Sequence, residues 1–206
     1  MSDLVPTGGV IEAIHIARTA GEAMRAVDAV RAVAGVGLDG DRYACGRGYY
    51  QDPGLGRDLT LIEAEVMEAL AADGIALAPG ETRRNLTTRG IGLNELVGHR
   101  FWVGDVLCHG SLLCEPCQYL VDLTGKPLLR PLVHRGGLRA DIVRGGVIRR
   151  GDAVCAARGA KRLRDPYKPG ERVWVKIKNP GYWRRASEIE SMQKSIERRQ
   201  RRARLG

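Results

Sequence analysis

Two cysteines three residues apart, Cys114 and Cys117, frame a glutamate and a proline in the stretch Ser111-Leu112-Leu113-Cys114-Glu115-Pro116-Cys117-Gln118-Tyr119-Leu120. Proline fixes its own φ and pushes the residue before it toward extended backbone, so Cys117 is expected to leave a rigid, non-helical segment. A thiolate held in this way serves as a soft-metal ligand or as a nucleophile. Other readings compete. Structural zinc wants four ligands, and only His109 lies close, with no second pair following. A thioredoxin-like pair needs its first cysteine at a helix N-terminus inside a βαβ unit, and these flanks do not read that way. Free cysteines also bury as small hydrophobes, which is the default if the stretch stands alone.

A second candidate lies upstream. After Pro79-Gly80 the chain reads Glu81-Thr82-Arg83-Arg84-Asn85-Leu86-Thr87-Thr88-Arg89-Gly90. This is either a solvated turn or a cradle for an anion and a heterocycle, because guanidinium groups grip phosphate bidentately and an amide both donates and accepts.

A chain of 206 residues suits one domain with an appendage. No stretch approaches the roughly 20 apolar residues that span a bilayer, and Met1-Ser2-Asp3 opens no basic-then-apolar leader. Five cysteines without a regular framework fit a reducing compartment, so a cytoplasmic location is expected, with no membrane partner. The charge is uneven: residues 161–206 hold 15 of the 33 Lys and Arg and 5 of the 24 Asp and Glu, which leaves 18 against 19 in residues 1–160. The net +9 therefore belongs to the tail, and any inference from pI to nucleic acid concerns that tail alone.

The elements that would position these residues are mostly strands. Residues 10–17 are β-branched after a glycine pair and predict a first strand, with His15 packed or exposed rather than a ligand; residues 24–33 are ambiguous between helix and strand. Gly35-Val36-Gly37-Leu38-Asp39-Gly40 matches the dinucleotide fingerprint by letter. That fingerprint must open a helix, and the glycine-rich residues 41–48 do not propagate one, so the reading is a glycine-hinged loop presenting Asp41 and Arg42, followed by an irregular segment over 49–56. Thr60 with Glu63 reads as a capping box, predicting a helix over 61–73 stopped by Gly74. Residues 99–110 predict two short strands, and residues 132–154 a run of short strands broken by glycine turns. Many short strands with little helix argue for a barrel or sandwich. In the tail, residues 169–178 alternate as a strand, Asn179-Pro180-Gly181 turns, and Ser187 with Glu190 caps a basic helix. That helix reads as a solvated charge run, as a dock for an acidic partner, or as a nucleic-acid surface with Trp174, Tyr182 and Trp183 stacking.

Four blocks in order resemble the MOSC domain family: Gly37-Leu38-Asp39-Gly40-Asp41-Arg42-Tyr43; Arg84-Asn85-Leu86-Thr87-Thr88-Arg89-Gly90; Pro116-Cys117 with Leu120; and Gly136-Gly137-Leu138-Arg139-Ala140 running into Gly151-Asp152. The resemblance covers residues 8–156, with 161–206 as a basic C-terminal extension. It implies a mainly β, α+β fold, a β-barrel with a few helices. It also implies a molybdopterin-bound molybdenum on Cys117, which would be both metal ligand and catalytic residue, with Arg84, Asn85 and Arg89 facing the cofactor and Arg42 and Arg139 as further cofactor-binding candidates. Many relatives have histidine where Tyr43 stands. The implied activity is either reduction of N-hydroxylated or otherwise N-oxygenated small molecules, or sulfur or cofactor carriage on a Cys117 persulfide. No flavin, iron–sulfur or pyridoxal-phosphate motif is visible in the sequence, so electrons are expected from separate donor proteins.

Overall fold

In the computed structural model, residues 8–50 and 56–157 are described; the strand-turn-helix expected over 161–206 lies outside them. Eleven strands follow in chain order: β1 Gly9–Ile16, β2 Arg25–Val27, β3 Ala29–Val33, β4 Gly37–Leu38, β5 Leu59–Glu63, β6 Leu86–Arg89, β7 Arg100–Val103, β8 Val106–Leu113, β9 Leu138–Arg144, β10 Gly146–Arg149 and β11 Ala153–Ala156. Among the described residues two α-helices, α1 Ala64–Ala72 and α2 Gln118–Thr124, complete the regular structure with one 3₁₀ turn, Leu93–Leu96. Seven strands close into a barrel, because β11 pairs with β7 on one side and with β1 on the other. Only β5 and β6 run parallel. Closure removes the unpaired edge that an open sheet exposes. Strands β10, β3 and β4 form a second small sheet.

The interior is packed. Leu61 pairs with Leu86 on one side and Leu138 on the other, and Leu138 in turn with Leu113. The first three of these leucines belong to one buried cluster with Ile11, Ile14, Phe101, Val103 and Val154. A smaller core joins α1 to the segment around α2: Val66 and Leu70 meet Leu120, Leu128 and Leu132, with Cys117 and Val121 at its edge. No helix among the described residues is long and apolar enough to cross a membrane.

The ambiguous residues 24–33 are β2 and β3, stabilised by pairing with β1 and β10. The helix expected over 61–73 begins later, because Leu59–Glu63 is strand β5. Thr60 Oγ1 donates to Asn85 Oδ1 at 2.8 Å rather than capping a helix, and Glu63 accepts from the Leu93 amide at 2.8 Å. Tertiary pairing with β6 and β9 outweighs the local cap pattern. Gly74 ends the helical segment as expected, with φ +84.

His15 on β1 is sealed, at 3% exposure, and its Nδ1 has no partner. Burial pushes its pKa below the ordinary 6.5. The folded chain therefore binds this proton less readily than the unfolded chain, and its contribution to stability is complete above pH 6.5 and lost as pH falls below it. Urea unfolding between about pH 5 and 6.5 should show stability rising with pH in the native chain and rising less in His15→Gln; equal slopes would exclude this assignment.

Candidate functional site

The loop carrying the two cysteines is fixed from both sides. The Cys114 amide donates to the Gly137 carbonyl at 2.7 Å, and the Cys114 carbonyl accepts from Arg84 Nη2 at 2.9 Å. Arg84 also donates through Nε to Gly136 O at 2.8 Å and through Nη1 to Thr82 O at 3.0 Å. Its buried guanidinium thus holds three carbonyls and no carboxylate. Such an arrangement fixes the loop while leaving the cation's charge uncompensated. On the far side Glu115 accepts from the His134 amide at 2.9 Å and meets His134 Nδ1 at 2.8 Å. The backbone and ring of His134 hold the Glu115 carboxyl below its ordinary range.

Cys117 is not the end of a wholly irregular segment. It stands at the N-cap of α2 with extended backbone, φ −138 and ψ 161, the geometry expected after Pro116, and the seven-residue helix that follows closes on Gly125 at φ +64. Thr124-Gly125 is the sequence signal that could have found this helix. The Cys117 side chain is partly exposed and free, as is that of Cys114. Cys108, in contrast, is shut in the barrel, where burial beside Asp58 and Asp141 pushes its thiol up to about 12.

Four tyrosines gather at this thiol. Tyr119, in the first turn of α2, stacks on Tyr49 at 3.8 Å, and Tyr50 packs edge-on against Tyr49 at 5.0 Å. The Tyr50 phenol is hydrogen-bonded with Cys117. That bond, with burial and the neighbouring Cys117, Tyr49 and Tyr43, pushes the phenol up to about 12. Tyr43 lies beneath the guanidinium of Arg42 at 5.0 Å and that of Arg57 at 5.8 Å. The Tyr49-Tyr50 doublet in a glycine-rich loop is the sequence feature that marks this cluster.

The remaining candidates divide. Asp41 and Arg42 are buried rather than presented, at 3% and 5% exposure. Asp41 Oδ2 accepts from Ala17 N at 3.3 Å, Arg42 Nη1 at 3.1 Å and Asn85 Nδ2 at 3.1 Å, while Arg42 Nη2 reaches the Arg83 carbonyl at 3.0 Å. Both ends of the Asn85 amide are occupied: Oδ1 takes the amide and hydroxyl of Thr60, and Nδ2 donates to His15 O and Asp41. These bonds join stretches 24 to 70 residues apart, and the bonds of the adjacent Arg84 reach a further 30 and 52 residues to Cys114 and Gly136. Arg139 donates through Nε to Gly56 O at 3.1 Å. Arg89 shares no partner with the network; its guanidinium is clamped between Glu12 and Glu68. Arg83 has φ +64, a region that non-glycine residues seldom occupy, and its Nη2 is buried without a partner.

Of Arg42, Arg83 and Arg84 only Arg42 pairs with a carboxylate, that of Asp41, so these three residues carry more positive charge than their ion pairing offsets, and Arg84 ties them to the cysteine loop through the Cys114 carbonyl. This donor set fits a flat, anionic group that carries a thiophilic metal. No cluster of three or more His, Cys, Asp or Glu suited to holding a metal ion by itself occurs among the described residues.

The family model for the MOSC domain matches residues 52–155. No curated protein matches the sequence. Among solved structures, the YuaD protein from Bacillus subtilis is 16% identical with a TM-score of 0.59, over 71% of this chain and 94% of that one. YiiM from Geobacillus stearothermophilus is 15% identical at TM-score 0.56, over 73% and 75%. YiiM from Escherichia coli is 17% identical at TM-score 0.56, over 75% and 72%. These likenesses show a shared fold.

Proposed function

The chain belongs to the MOSC domain family, a family associated with the molybdenum cofactor, and from that premise we propose that it is an oxidoreductase reducing N-oxygenated small molecules with Cys117 as the molybdenum ligand. The observation that carries this reading is the Cys117 sulfur itself: partly exposed, hydrogen-bonded by Tyr50, and set on a loop that Arg84 and His134 hold rigid. Cys117 would hold the metal, and the cofactor would supply two-electron oxygen-atom-transfer chemistry there, with two protons from solvent releasing the oxygen as water.

The protein's own part is positional and electrostatic. Tyr50 packs beside the sulfur and orients it. Tyr49 and Tyr119 offer a stacked aromatic wall on which flat rings pack. The arginine excess offsets the negative charge of the cofactor's phosphate and dithiolene, a task that buried guanidinium groups short of counter-charge perform without reorganisation. Electrons come from a separate donor protein.

Protein purified from a cofactor-competent host should contain stoichiometric molybdenum and reduce an N-hydroxylated base under a chemical reductant. The second reading, a carrier holding sulfur on Cys117, draws on Cys114, a second partly exposed thiol three residues away. It predicts a Cys117 persulfide by mass spectrometry in protein that carries no molybdenum and shows no turnover, an outcome that would end the reductase proposal.

A further inference from the structure

We propose that the face around the cysteine loop is the docking surface of a small acidic electron-transfer protein, the donor that the reductase reading above calls for. The identity of the partner rests on that reading. The place and the charge of the surface rest on which side chains are exposed and which are already paired.

Apolar side chains left in water gather at this end of the molecule. Of the nine large hydrophobic side chains exposed among the described residues, five are Tyr49, Tyr50, Leu123, Leu129 and Val133, and each belongs to a segment that touches the cysteine loop. Tyr50 is hydrogen-bonded with Cys117, and Tyr49 stacks on Tyr119 at 3.8 Å. Leu123 follows Tyr119 by four residues on α2, so the two share one helical face. Leu128 and Leu132 turn inward to the small core that Cys117 borders; Leu129 and Val133, one residue further on in the same turns, are 40% and 47% exposed. His134 then ties this segment back to the loop through Glu115. Apolar side chains scattered singly over a surface are ordinary, whereas a group of them around one site marks a place of contact.

The cations beside these side chains are free and the carboxylates are not. Arg47, Arg130 and Arg135 are exposed and have no ion-pair partner among the described residues. Glu115 is occupied by the amide and ring of His134, Asp122 accepts from Gln118 Nε2 at 2.8 Å, and Glu81 is paired with Lys126 at 2.6 Å. A second copy of this chain would bring the same cations against one another, which like-charge repulsion disfavours. A negatively charged partner is complementary.

Electron transfer fits the scale of this surface. Each N–O bond cleaved would take two electrons from the donor and two protons from solvent, with the oxygen leaving as water. An oxidised donor must then depart before the next arrives, and redox encounters accordingly use small interfaces. Unpaired arginines steer an acidic protein toward the loop, and the apolar side chains hold it there briefly.

The test is binding of the full chain to two oxidised probes, an acidic flavodoxin and an acidic ferredoxin, by biolayer interferometry at about 20 mM and about 300 mM salt, where screening lengths differ severalfold. The native chain should bind at least one probe at low salt and lose most of that affinity at high salt. Arg130→Glu and Val133→Asp should each weaken binding by about 10-fold or more. The controls are Arg31→Glu and Val147→Asp, an exposed arginine and valine paired across β3 and β10, which should stay within about twofold. All four positions are exposed, so thermal midpoints should hold within about 3 °C and the losses report contact rather than folding. The basic tail is present in every variant; binding through it alone would leave Arg130→Glu and Val133→Asp at full strength and would overturn the proposal. So would no binding to either probe, or equal losses in the control pair. Oxidised probes bind without molybdenum or turnover, so a failure of the reductase reading shows in the metal and activity measurements and not in this one.

Discussion

Cys117→Ser is expected to leave the barrel folded and to remove molybdenum and turnover together. The two halves of this result have separate causes. Cys117 sits at the margin of the small α1–α2 core rather than inside the barrel, and it occupies an N-cap with extended backbone and no side-chain cap bond. Serine is among the favoured N-cap residues, worth up to about 1 kcal/mol over a poor one. The small loss of apolar contact is thereby offset, and the thermal midpoint should stay within about 3 °C. The proposed metal, however, would lose the one protein thiolate assigned to it. Removing a mere supporting partner from a metal site costs about 10- to 100-fold, so loss of the ligand itself should exceed about a hundredfold in both metal content and rate. Cys114→Ser is the control: Cys114 steadies the loop through its backbone amide and carbonyl, and those groups survive the substitution. Metal retained in Cys117→Ser, or lost equally in Cys114→Ser, would remove Cys117 from its proposed role.

The second large effect is on stability. Gly137 has φ +100, and a Cβ added there would collide with the Leu61 carbonyl oxygen, far inside van der Waals contact. Leu61 belongs to the barrel strand β5 and is paired on both sides, with Leu86 and with Leu138, so it has no room to retreat. Gly137→Ala must therefore part β5 from β9 or displace the carbonyl that receives the Cys114 amide. We expect a cost of about 4 kcal/mol or more, in the range reserved for core disruption, and a fall in thermal midpoint of about 10 °C or more. Gly151→Ala isolates the backbone component, since Gly151 has φ +89 and a Cβ added there would meet nothing within 4 Å; it should cost only about 1 kcal/mol. Similar losses in both variants would show that strain, not collision, governs Gly137. Because Gly136 O and Gly137 O are also the acceptors that tie this segment to Arg84 and Cys114, the same substitution should loosen the cysteine loop.

Much of the fold was legible in one dimension. Short β-branched runs separated by glycine turns give a barrel because alternation and turn chemistry are local properties, and β1, β7, β8 and β9 fall where those patterns lie. The four ordered blocks identified the family for the same reason: each records a fixed local demand, such as the bare backbone at Gly136 and Gly137 where a Cβ would strike Cys114 O or Leu61 O. Local signals misled where distant partners prevailed over them. Thr60 and Glu63 look like a helix cap, yet their side chains bind Asn85 and Leu93, 25 and 30 residues away.

The arginines mark the limit most clearly. In sequence, Arg83, Arg84 and Arg89 are near-equivalent cations on one polar stretch, and nothing in their spacing ranks them. Folding brings carbonyls to Arg84, carboxylates from β1 and α1 to Arg89, and no acceptor to Arg83 Nη2. The order of residues along the chain was enough to establish the barrel and its family, and to nominate Cys117. Which acceptors each cation engages emerges only on folding. A guanidinium's free hydrogens are determined by acceptors within about 3 Å in space, and strand pairing draws those acceptors from remote parts of the chain.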